Sequence, residues 1–215
     1  HLGHVEALLR WNDPGRGVVL PLTFIPVAQE AGLMRDLGHW VFAAAAHQAT
    51  AWNAEGTGSI AISVNLSASQ LRDSTIVAEL EDVLAKAGCA PNWLTLEITE
   101  TSMVKDVEGV SLTLRKLRRM GFRIAIDDFG TGFSSLSHLR HLPVDAVKID
   151  KSFVADTTGP NGAAIAAAII GLARGLGLDV IAEGVESDAQ LAILRALGCS
   201  AWQGYLLSPP LGAAE

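Results

Sequence analysis

Hydrophobic and polar positions along the chain repeat one pattern: a helical stretch, a glycine, a short apolar run and then an acidic or amide residue. The clearest unit predicts a helix over Val107–Met120 that ends at Gly121, followed by a strand over Phe122–Ile126. A glycine ends a helix at little cost because it readily takes the left-handed backbone of the closing turn. Further units predict these helix and strand pairs: Phe42–Glu55 and Ile60–Val64; Glu79–Ala87 and Leu94–Leu96; Ala163–Leu176 and Leu178–Ala182; Asp188–Leu197 and Cys199–Tyr205.

The alternation of these helices with short strands predicts parallel strands joined by right-handed crossovers. Val5–Trp11 and Val144–Ile149 add two strands, and no linker rich in proline, glycine or serine divides the chain. The pattern therefore favours one domain over residues 1–215 with an α/β fold, a TIM-like (β/α)8 barrel. A doubly wound open sheet stays the alternative, although no glycine-rich first turn dominates the N-terminus.

Composition and charge narrow the range of partners and compartments. Hydrophobic residues make up 49% of the chain and charged residues 18%, which is enough apolar material for a sizeable core. The net charge of −7 argues against a polymeric nucleic acid partner and against direct contact with an anionic membrane. The longest apolar run, Ala163–Ala173, is too short to span a bilayer. Two cysteines cannot form a disulfide framework, so we expect a cytoplasmic domain, which segments outside this sequence could tether to a membrane.

Polar residues fall on one face of the predicted strands. Side chains alternate along a strand, so residues of the same parity share a face. The inward parity collects one polar residue from each of six segments: Glu6, Asn65, Glu97, Asp127, Lys148 and Glu183. The carboxyl ends of barrel strands meet at one mouth, where barrel enzymes place their chemistry. Carboxylates crowded there would repel one another, so bound cations are the simplest explanation.

The ligand chemistry indicates which cation fits. An all-oxygen set without histidine or cysteine favours Mg²⁺ or Mn²⁺ over zinc. The alternative is that these are ordinary strand-end and helix-cap carboxylates, which are common in β/α proteins. That alternative accounts for any one residue, but poorly for several carboxylates and a lysine on the same parity. The residues alone thus predict a hard-metal barrel enzyme.

Several short motifs, in order and over nearly the whole chain, resemble the signature of EAL domains, the cyclic di-GMP phosphodiesterases of bacterial second-messenger signalling. They are Glu6-Ala7-Leu8, Leu9-Arg10-Trp11, Asn65-Leu66-Ser67, Glu97-Ile98-Thr99-Glu100, Asp127-Asp128-Phe129-Gly130-Thr131-Gly132-Phe133-Ser134-Ser135-Leu136, Lys148-Ile149-Asp150, Glu183-Gly184-Val185-Glu186 and Gln203-Gly204-Tyr205. A lone Glu-Ala-Leu tripeptide would mean nothing, but this ordered set is specific. The resemblance implies hydrolysis of cyclic di-GMP to linear pGpG by a water that two metal ions activate.

The resemblance also implies the metal ligands, with two ions, Mg²⁺ or Mn²⁺, in the active state. The ligands of the first ion would be Glu6, Asn65, Glu97 and Asp127, and those of the second Asp127 and Asp128. Adjacent residues on a regular strand point apart, so Asp128 must already be turning into the loop. The segment Phe129-Gly130-Thr131-Gly132 is expected to supply that turn.

Catalytic and substrate-binding roles follow from the same resemblance. Lys148 would hold the nucleophilic water and offset negative charge, and Glu183 is either the general base or a ligand of the second ion. Substrate contacts fall to Arg10, Leu8, Asp150 and Gln203, with Arg10 on a phosphate and Gln203 on a guanine or a neighbouring group. The loop anchor is Glu100, and Thr131 and Glu186 support the site.

The sequence departs from the family pattern at a few points. A strand that normally precedes the Glu-Ala-Leu segment, with a glutamine-proline pair that touches substrate, is expected to be missing. The final helix, beyond Ser208-Pro209-Pro210, is expected to be missing as well, and Phe133 replaces a more usual tyrosine. None of these departures removes a metal ligand.

Two other functions stay open. One is a weakly active or inactive cyclic di-GMP-binding regulatory module, and the other is a barrel enzyme for a different phosphodiester, which the loop and Gln203 motifs disfavour. As partners we expect cyclic di-GMP, a second copy in a homodimer, and fused sensor or diguanylate-cyclase-like domains outside this chain.

Overall fold

The computed structural model of the protein describes residues 3–54, 59–103, 107–132, 139–159 and 162–213. Contacts within the chain group it into two compact units. The first comprises His1–Leu96 with Arg119–Phe122, and the second comprises Glu97–Arg118 with Arg123–Glu215. The expectation of one domain over residues 1–215 stays a prediction.

The first unit opens with a short strand and a hairpin, and helices and a further strand follow. Its elements are β1 (His4–Glu6), β2 (Trp11–Asp13), β3 (Gly17–Val19), α1 (Pro21–Glu30), α2 (Met34–Asn53), β4 (Ala61–Asn65), α3 (Ala68–Leu71), α4 (Ile76–Ala87) and a 3₁₀ turn at Pro91–Trp93. β1 pairs in parallel with β4, with Glu6 opposite Ser63. β2 and β3 form an antiparallel hairpin with Trp11 opposite Val19.

The core of the first unit forms where α2 packs on α4 and on β4. α2 buries Phe42, Ala46 and Ala49, whose i, i+4, i+7 spacing gives one apolar stripe along the helix. The two alanines are fully buried, so their small side chains let the neighbouring elements approach the helix closely. α4 contributes Leu80 and Val83 from its own apolar face.

The start of the chain differs from the predicted strand Val5–Trp11. The strand ends at Glu6, and Trp11 instead begins the hairpin, where its ring meets Phe24 edge-to-face at 6.0 Å. The predicted strand is therefore too long. The alternation of side chains along a strand does not predict where the side chains beyond Glu6 point. Helix α1 was not predicted, since Pro26 interrupts its pattern and all 10 of its residues stay at least partly exposed.

The second unit is an alternation of strands and helices. β5 (Leu94–Thr99) belongs to this unit from Glu97 onward. The elements after β5 are a 3₁₀ turn at Glu100–Met103, α5 (Val107–Met120), β6 (Arg123–Phe129), β7 (Ala146–Ile149), α6 (Lys151–Ala155), a 3₁₀ turn at Asp156–Thr158, α7 (Gly162–Gly175), β8 (Asp179–Ala182), α8 (Asp188–Ala196) and β9 (Ala201–Trp202). Strands β6 to β9 pair in parallel, each with the next along the chain. The predicted helix Val107–Met120 is confirmed with its bounds.

Both faces of β7 are covered. In β7 all four residues are buried, with Ala146 and Lys148 on one face and Val147 and Ile149 on the other. The predicted strand Cys199–Tyr205 shortens to β9, since only Ala201 and Trp202 are paired with β8 as a ladder. Among the residues that the structure describes, no helix combines the length and the apolar character needed to cross a membrane.

Two glycine-to-alanine changes separate a required glycine from a dispensable one. Gly88 follows α4 with φ of 62°, whereas Gly171 lies within α7, and an added Cβ would meet no atom within 4 Å at either site. Gly88→Ala is expected to lower the free energy of unfolding by about 1 kcal/mol, because alanine resists the left-handed backbone. Gly171→Ala is expected to raise it by about 0.5–1 kcal/mol through helix propensity. Urea unfolding measures both, and equal effects of the two changes would contradict the assignment.

Candidate active site

A buried lysine lies among carboxylates in the second unit. Nζ of Lys148 is 2.7 Å from Oε2 of Glu97, 3.2 Å from Oδ1 of Asp127 and 2.6 Å from Oε1 of Glu183. The side chains of Lys148 and Glu97 are each 1% exposed. Their elements explain the convergence, because Glu97 lies in β5, Asp127 in β6 and Lys148 in β7, while Glu183 directly follows β8. The inward parity predicted for these residues is consistent with this placement.

The charge of this cluster is unbalanced. An ammonium ion is stable in a protein interior only where acceptors replace its water. Lys148 meets three carboxylates, so its single positive charge cannot neutralise all of them when they are ionised. The surplus negative charge lies in a partly dry site, where it attracts a further cation strongly.

A β-bulge brings two adjacent carboxylates to this cluster. The pairing of β6 with β7 runs from Ala125 to Ile126, shifts, and resumes at Phe129, so Asp127 and Asp128 together occupy one step of the ladder. Asp128 has φ of 53° and is the one non-glycine residue with positive φ in the described part of the chain. The expectation that Asp128 already leaves the regular strand is thus confirmed, and the segment after it does turn, since the amide of Thr131 donates to the carbonyl of Asp128 at 3.3 Å.

The carboxyls of Asp128 and Asp150 influence each other's pKa. Burial raises the pKa of Asp128, and the nearby charges of Asp127 and Asp150 raise it further. Burial also acts against ionisation of Asp150, but hydrogen bonds from the hydroxyl and the amide of Ser152 outweigh it and hold the pKa of Asp150 below its ordinary value. The Ser152 amide lies 2.9 Å from Oδ1 of Asp150, which caps α6. The pKa values of the two carboxyls are thus shifted in opposite directions, upward for Asp128 and downward for Asp150.

Three carboxylates fit a divalent cation. Asp127, Asp128 and Glu183 each offer an oxygen, and these oxygens all lie within 4.8 Å of one another. Oδ1 of Asp127 is buried and lies near Lys148, yet it makes no well-aligned hydrogen bond within the described residues. Oxygen ligands with surplus negative charge suit a hard ion such as Mg²⁺ or Mn²⁺. The arrangement can therefore hold a cation to which Asp127 would contribute an oxygen ligand.

Gln203 and Glu183 form a contact that the sequence pattern did not indicate. Nε2 of Gln203 donates to Oε1 of Glu183 at 2.9 Å. The two residues lie far apart in sequence, and only the pairing of β8 with β9 brings them together. The assignment of Gln203 and Asp150 to substrate stays a prediction.

Glu100 holds the backbone of the loop after β6. Its Oε2 accepts hydrogen bonds from the amides of Gly130 at 3.0 Å and Gly132 at 3.1 Å, and the residue is 3% exposed. The hydroxyl of Thr131 donates to the carbonyl of Asp128 at 2.8 Å, which ties the loop to the bulge. The rest of the loop motif, Phe133–Leu136, lies outside the described residues.

Glu186 lies just before Ser187, the N-cap residue of α8. Its side chain is exposed, and its amide donates to Oε1 of Gln190 at 2.8 Å. Gln190 and Ser187 form a capping box at the start of α8. The backbone of Glu186 thus belongs to the cap, and the supporting role expected of its side chain stays a prediction.

In the first unit, Glu6 and Asn65 lie side by side. Nδ2 of Asn65 donates to Oε1 of Glu6 at 3.2 Å, as the pairing of β1 with β4 allows. Ser63, on the same face as Asn65, is fully buried and lies 2.5 Å from Nε2 of His4, a contact that parity did not indicate. The assignment of Glu6 and Asn65 to a metal stays a prediction.

Arg10 and Leu8 lie beyond the end of β1. The guanidinium of Arg10 donates to the carbonyl of Leu9 at 2.7 Å, and Leu8 is 45% exposed. Both are reachable from solvent, and their assignment to substrate stays a prediction.

The carboxylate cluster lies toward the carboxyl ends of parallel strands, where α/β barrel enzymes place their active sites. A family model described as the EAL domain matches residues 1–210, so this chain belongs to the EAL domain family. The solved structure described as "PaMucR Phosphodiesterase, c-di-GMP complex" has a TM-score of 0.94 and 41% identity, covering 99% of this chain and 86% of that one. The predicted family and the TIM-like α/β fold class are confirmed, rather than the doubly wound alternative.

Two relatives from Pseudomonas aeruginosa carry informative names. The bifunctional diguanylate cyclase/cyclic di-GMP phosphodiesterase MucR is 41% identical over 212 residues, which are 98% of this chain and 31% of that protein. The cyclic di-GMP phosphodiesterase PA2567 is 40% identical over 208 residues, 96% of this chain and 35% of that protein. This chain therefore spans about a third of the length of these curated relatives.

Removal of the buried ammonium tests the electrostatic account. Lys148→Met, measured with a chelator present, is expected to lower the free energy of unfolding by about 3–5 kcal/mol, since the carboxylates around it lose their cation. Lys86 is the matched control, because it contacts Asp82 at 2.6 Å but is 69% exposed. Lys86→Met is expected to cost at most about 0.5 kcal/mol. Similar losses for the two variants in urea unfolding would refute a special role for Lys148.

Removal of the loop anchor tests the hydrogen bonds of Glu100. In Glu100→Ala, amide hydrogen exchange at Gly130 and Gly132 is expected to accelerate by about 10- to 100-fold, because each amide loses a charged acceptor. Glu100→Gln keeps a neutral oxygen acceptor of the same reach and is expected to give intermediate rates. Unchanged rates in the alanine variant would show that Glu100 does not hold the loop.

Proposed function

We propose that this EAL domain hydrolyses cyclic di-GMP to linear pGpG, using a water activated by two divalent cations, Mg²⁺ or Mn²⁺. The observation that carries the proposal is the buried ammonium of Lys148 within 3.2 Å of three carboxylates. The names of the two relatives and the description of the solved complex support the substrate.

The acidic group supplies a place for the cations. Asp127, Asp128 and Glu183 would hold a divalent ion through the oxygens that lie within 4.8 Å of one another. Such an ion, when bound, lowers the pKa of a water and stabilises negative charge on a phosphoryl group. The family pattern further assigns Glu97, Glu6 and Asn65 to the metal.

Lys148 has a charge and a position suited to the reaction. Its ammonium is fixed by Glu97 and Glu183 at 2.7 Å and 2.6 Å, so it needs no reorganisation as charge develops. It would orient the attacking water and offset the negative charge of the phosphodiester. Glu183 would act beside it, either as the general base or as a ligand of the second ion.

The substrate would contact residues near the strand ends. Arg10 is suited to a phosphate, because a guanidinium binds phosphate oxygens through paired hydrogen bonds. Leu8, Asp150 and Gln203 are further contacts that the family pattern assigns. The loop held by Glu100, with Thr131 and Glu186, would support this arrangement.

We propose a cytoplasmic homodimer joined to sensor or diguanylate-cyclase-like domains as the setting of this activity. The bifunctional name of MucR, of which this chain spans 31%, supports the joined domains. The net charge of −7 argues against a polymeric nucleic acid or an anionic membrane as partner of this domain.

Incubation with cyclic di-GMP and Mg²⁺ or Mn²⁺, with chromatographic detection of pGpG, tests the proposal. Turnover is expected, and a chelator is expected to abolish it. Asp127→Asn should lower kcat by about 100-fold or more, the scale on which removal of one charge-stabilising group acts. The matched control is Asp179→Asn, since Asp179 lies at the opposite end of β8 and pairs with Arg123 at 2.5 Å.

The same assay separates the alternatives. Tight binding of cyclic di-GMP without product would show a regulatory module, and neither binding nor turnover would contradict both functions. Glu6→Ala is expected to abolish metal-dependent turnover while the fold survives. Unchanged activity of this variant would remove Glu6 from the site.

A further inference from the structure

Gln203 holds the chain on both sides of Glu183. Its backbone amide donates to the backbone carbonyl of Ala182 at 2.8 Å, and its backbone carbonyl accepts from the backbone amide of Val185 at 3.0 Å. Between these two bonds, its side-chain Nε2 donates to Oε1 of Glu183 at 2.9 Å. One residue thus fixes the backbone before and after Glu183 and also reaches its carboxylate.

Gly204, the next residue, holds the backbone of Gln203 close to the segment that contains Glu183. Gly204 has φ of 151°, and a Cβ added there would lie 2.3 Å from both the nitrogen and the oxygen of Val185. The two backbone segments are therefore in direct contact, a spacing that only glycine permits. The backbone from which Gln203 extends is held against the backbone that follows Glu183.

Gln203 and Lys148 both contact the same atom of Glu183. Oε1 accepts from Gln203 at 2.9 Å and from the ammonium of Lys148 at 2.6 Å. The last torsion of a glutamate side chain is broad and sets no orientation by itself. Two donors from separate segments of the chain on one oxygen restrict that torsion, and with it the direction in which Oε2 points.

We infer that Gln203 is a positioning residue that sets the orientation of the Glu183 carboxylate beside Asp127 and Asp128. The orientation itself follows from the contacts, whereas its effect on turnover rests on the proposed function. A residue that orients a reacting or metal-binding carboxylate supports the chemical step and not the affinity for substrate. The family pattern assigns Gln203 to the nucleotide, so the two roles predict different kinetics.

Gln203→Met decides between these roles, because methionine keeps the length and both backbone hydrogen bonds but removes the amide donor. The crystal structure of the variant is expected to show the Glu183 carboxylate rotated or in more than one conformer. kcat is expected to fall by about 10- to 100-fold, the usual effect of losing an orienting partner, with KM changed less than about twofold. Ser200→Ala is the matched control, since it removes a hydrogen bond of 3.1 Å from the residue before β9 to the carbonyl of Val180 in β8, away from Glu183. That control is expected to leave kcat unchanged.

The possible results are distinct. A single, unchanged carboxylate orientation in the variant, or a rise in KM with kcat unchanged, would overturn the inference and favour a nucleotide contact. If the wild-type domain shows no turnover, the proposed function fails, and the crystal structure alone still decides the positioning role. Gln203→Glu, which has the same shape but an acceptor in place of the donor, decides the matter if the methionine variant does not fold.

Discussion

The ammonium of Lys148 lies 1% exposed among three carboxylates, and this contact depends on how several strands of the second unit lie together. A charge taken out of water is costly unless oppositely charged groups with good geometry surround it. Those groups come from different elements, so the ion cluster exists only when β5, β6, β7 and the end of β8 all lie in register. Lys148 is opposite Ile181 in the β7 to β8 ladder, which places Glu183 just beyond its side chain. The buried cation thus links the register of the strands to the chemistry of their ends.

The bulge in β6 is the second constraint, and it follows from the need for two carboxylates at one strand end. A regular strand would send Asp127 and Asp128 to opposite faces. The ladder shift lets both reach the oxygen group with Glu183, at the cost of positive φ at Asp128. Such strain costs about 1–3 kcal/mol and persists where the surroundings determine the backbone. Thr131 and Asp150 supply those surroundings through the carbonyl and the carboxyl of Asp128.

Sequence patterns predicted the parts of this protein that depend on local periodicity. The helix Val107–Met120 has its predicted bounds, and its buried Val110, Leu114 and Leu117 follow the apolar stripe. Parity also selected Glu97 and Lys148, which are both buried, because they lie within regular strands. It failed where β1 stops at Glu6, and it did not locate the bulge that turns Asp128 out of the regular strand. The contact of Gln203 with Glu183 depends on tertiary pairing, for which a single sequence holds no local signal.

The buried ion cluster also bears on the choice between turnover and simple binding. Ion clusters of this kind are weak contributors to stability, and well-packed apolar side chains of similar volume often stabilise a protein equally well or better. A nucleotide can be bound by backbone groups and an arginine at a strand end, without an ammonium buried at 1% exposure. Lys148, Glu97 and the strained Asp128 are therefore poorly explained by folding or by binding alone. A site that must stabilise charge as it develops requires fixed charges of this kind, set in place before the reaction. The energetic cost of the cluster is thus an argument for catalysis that is independent of family membership.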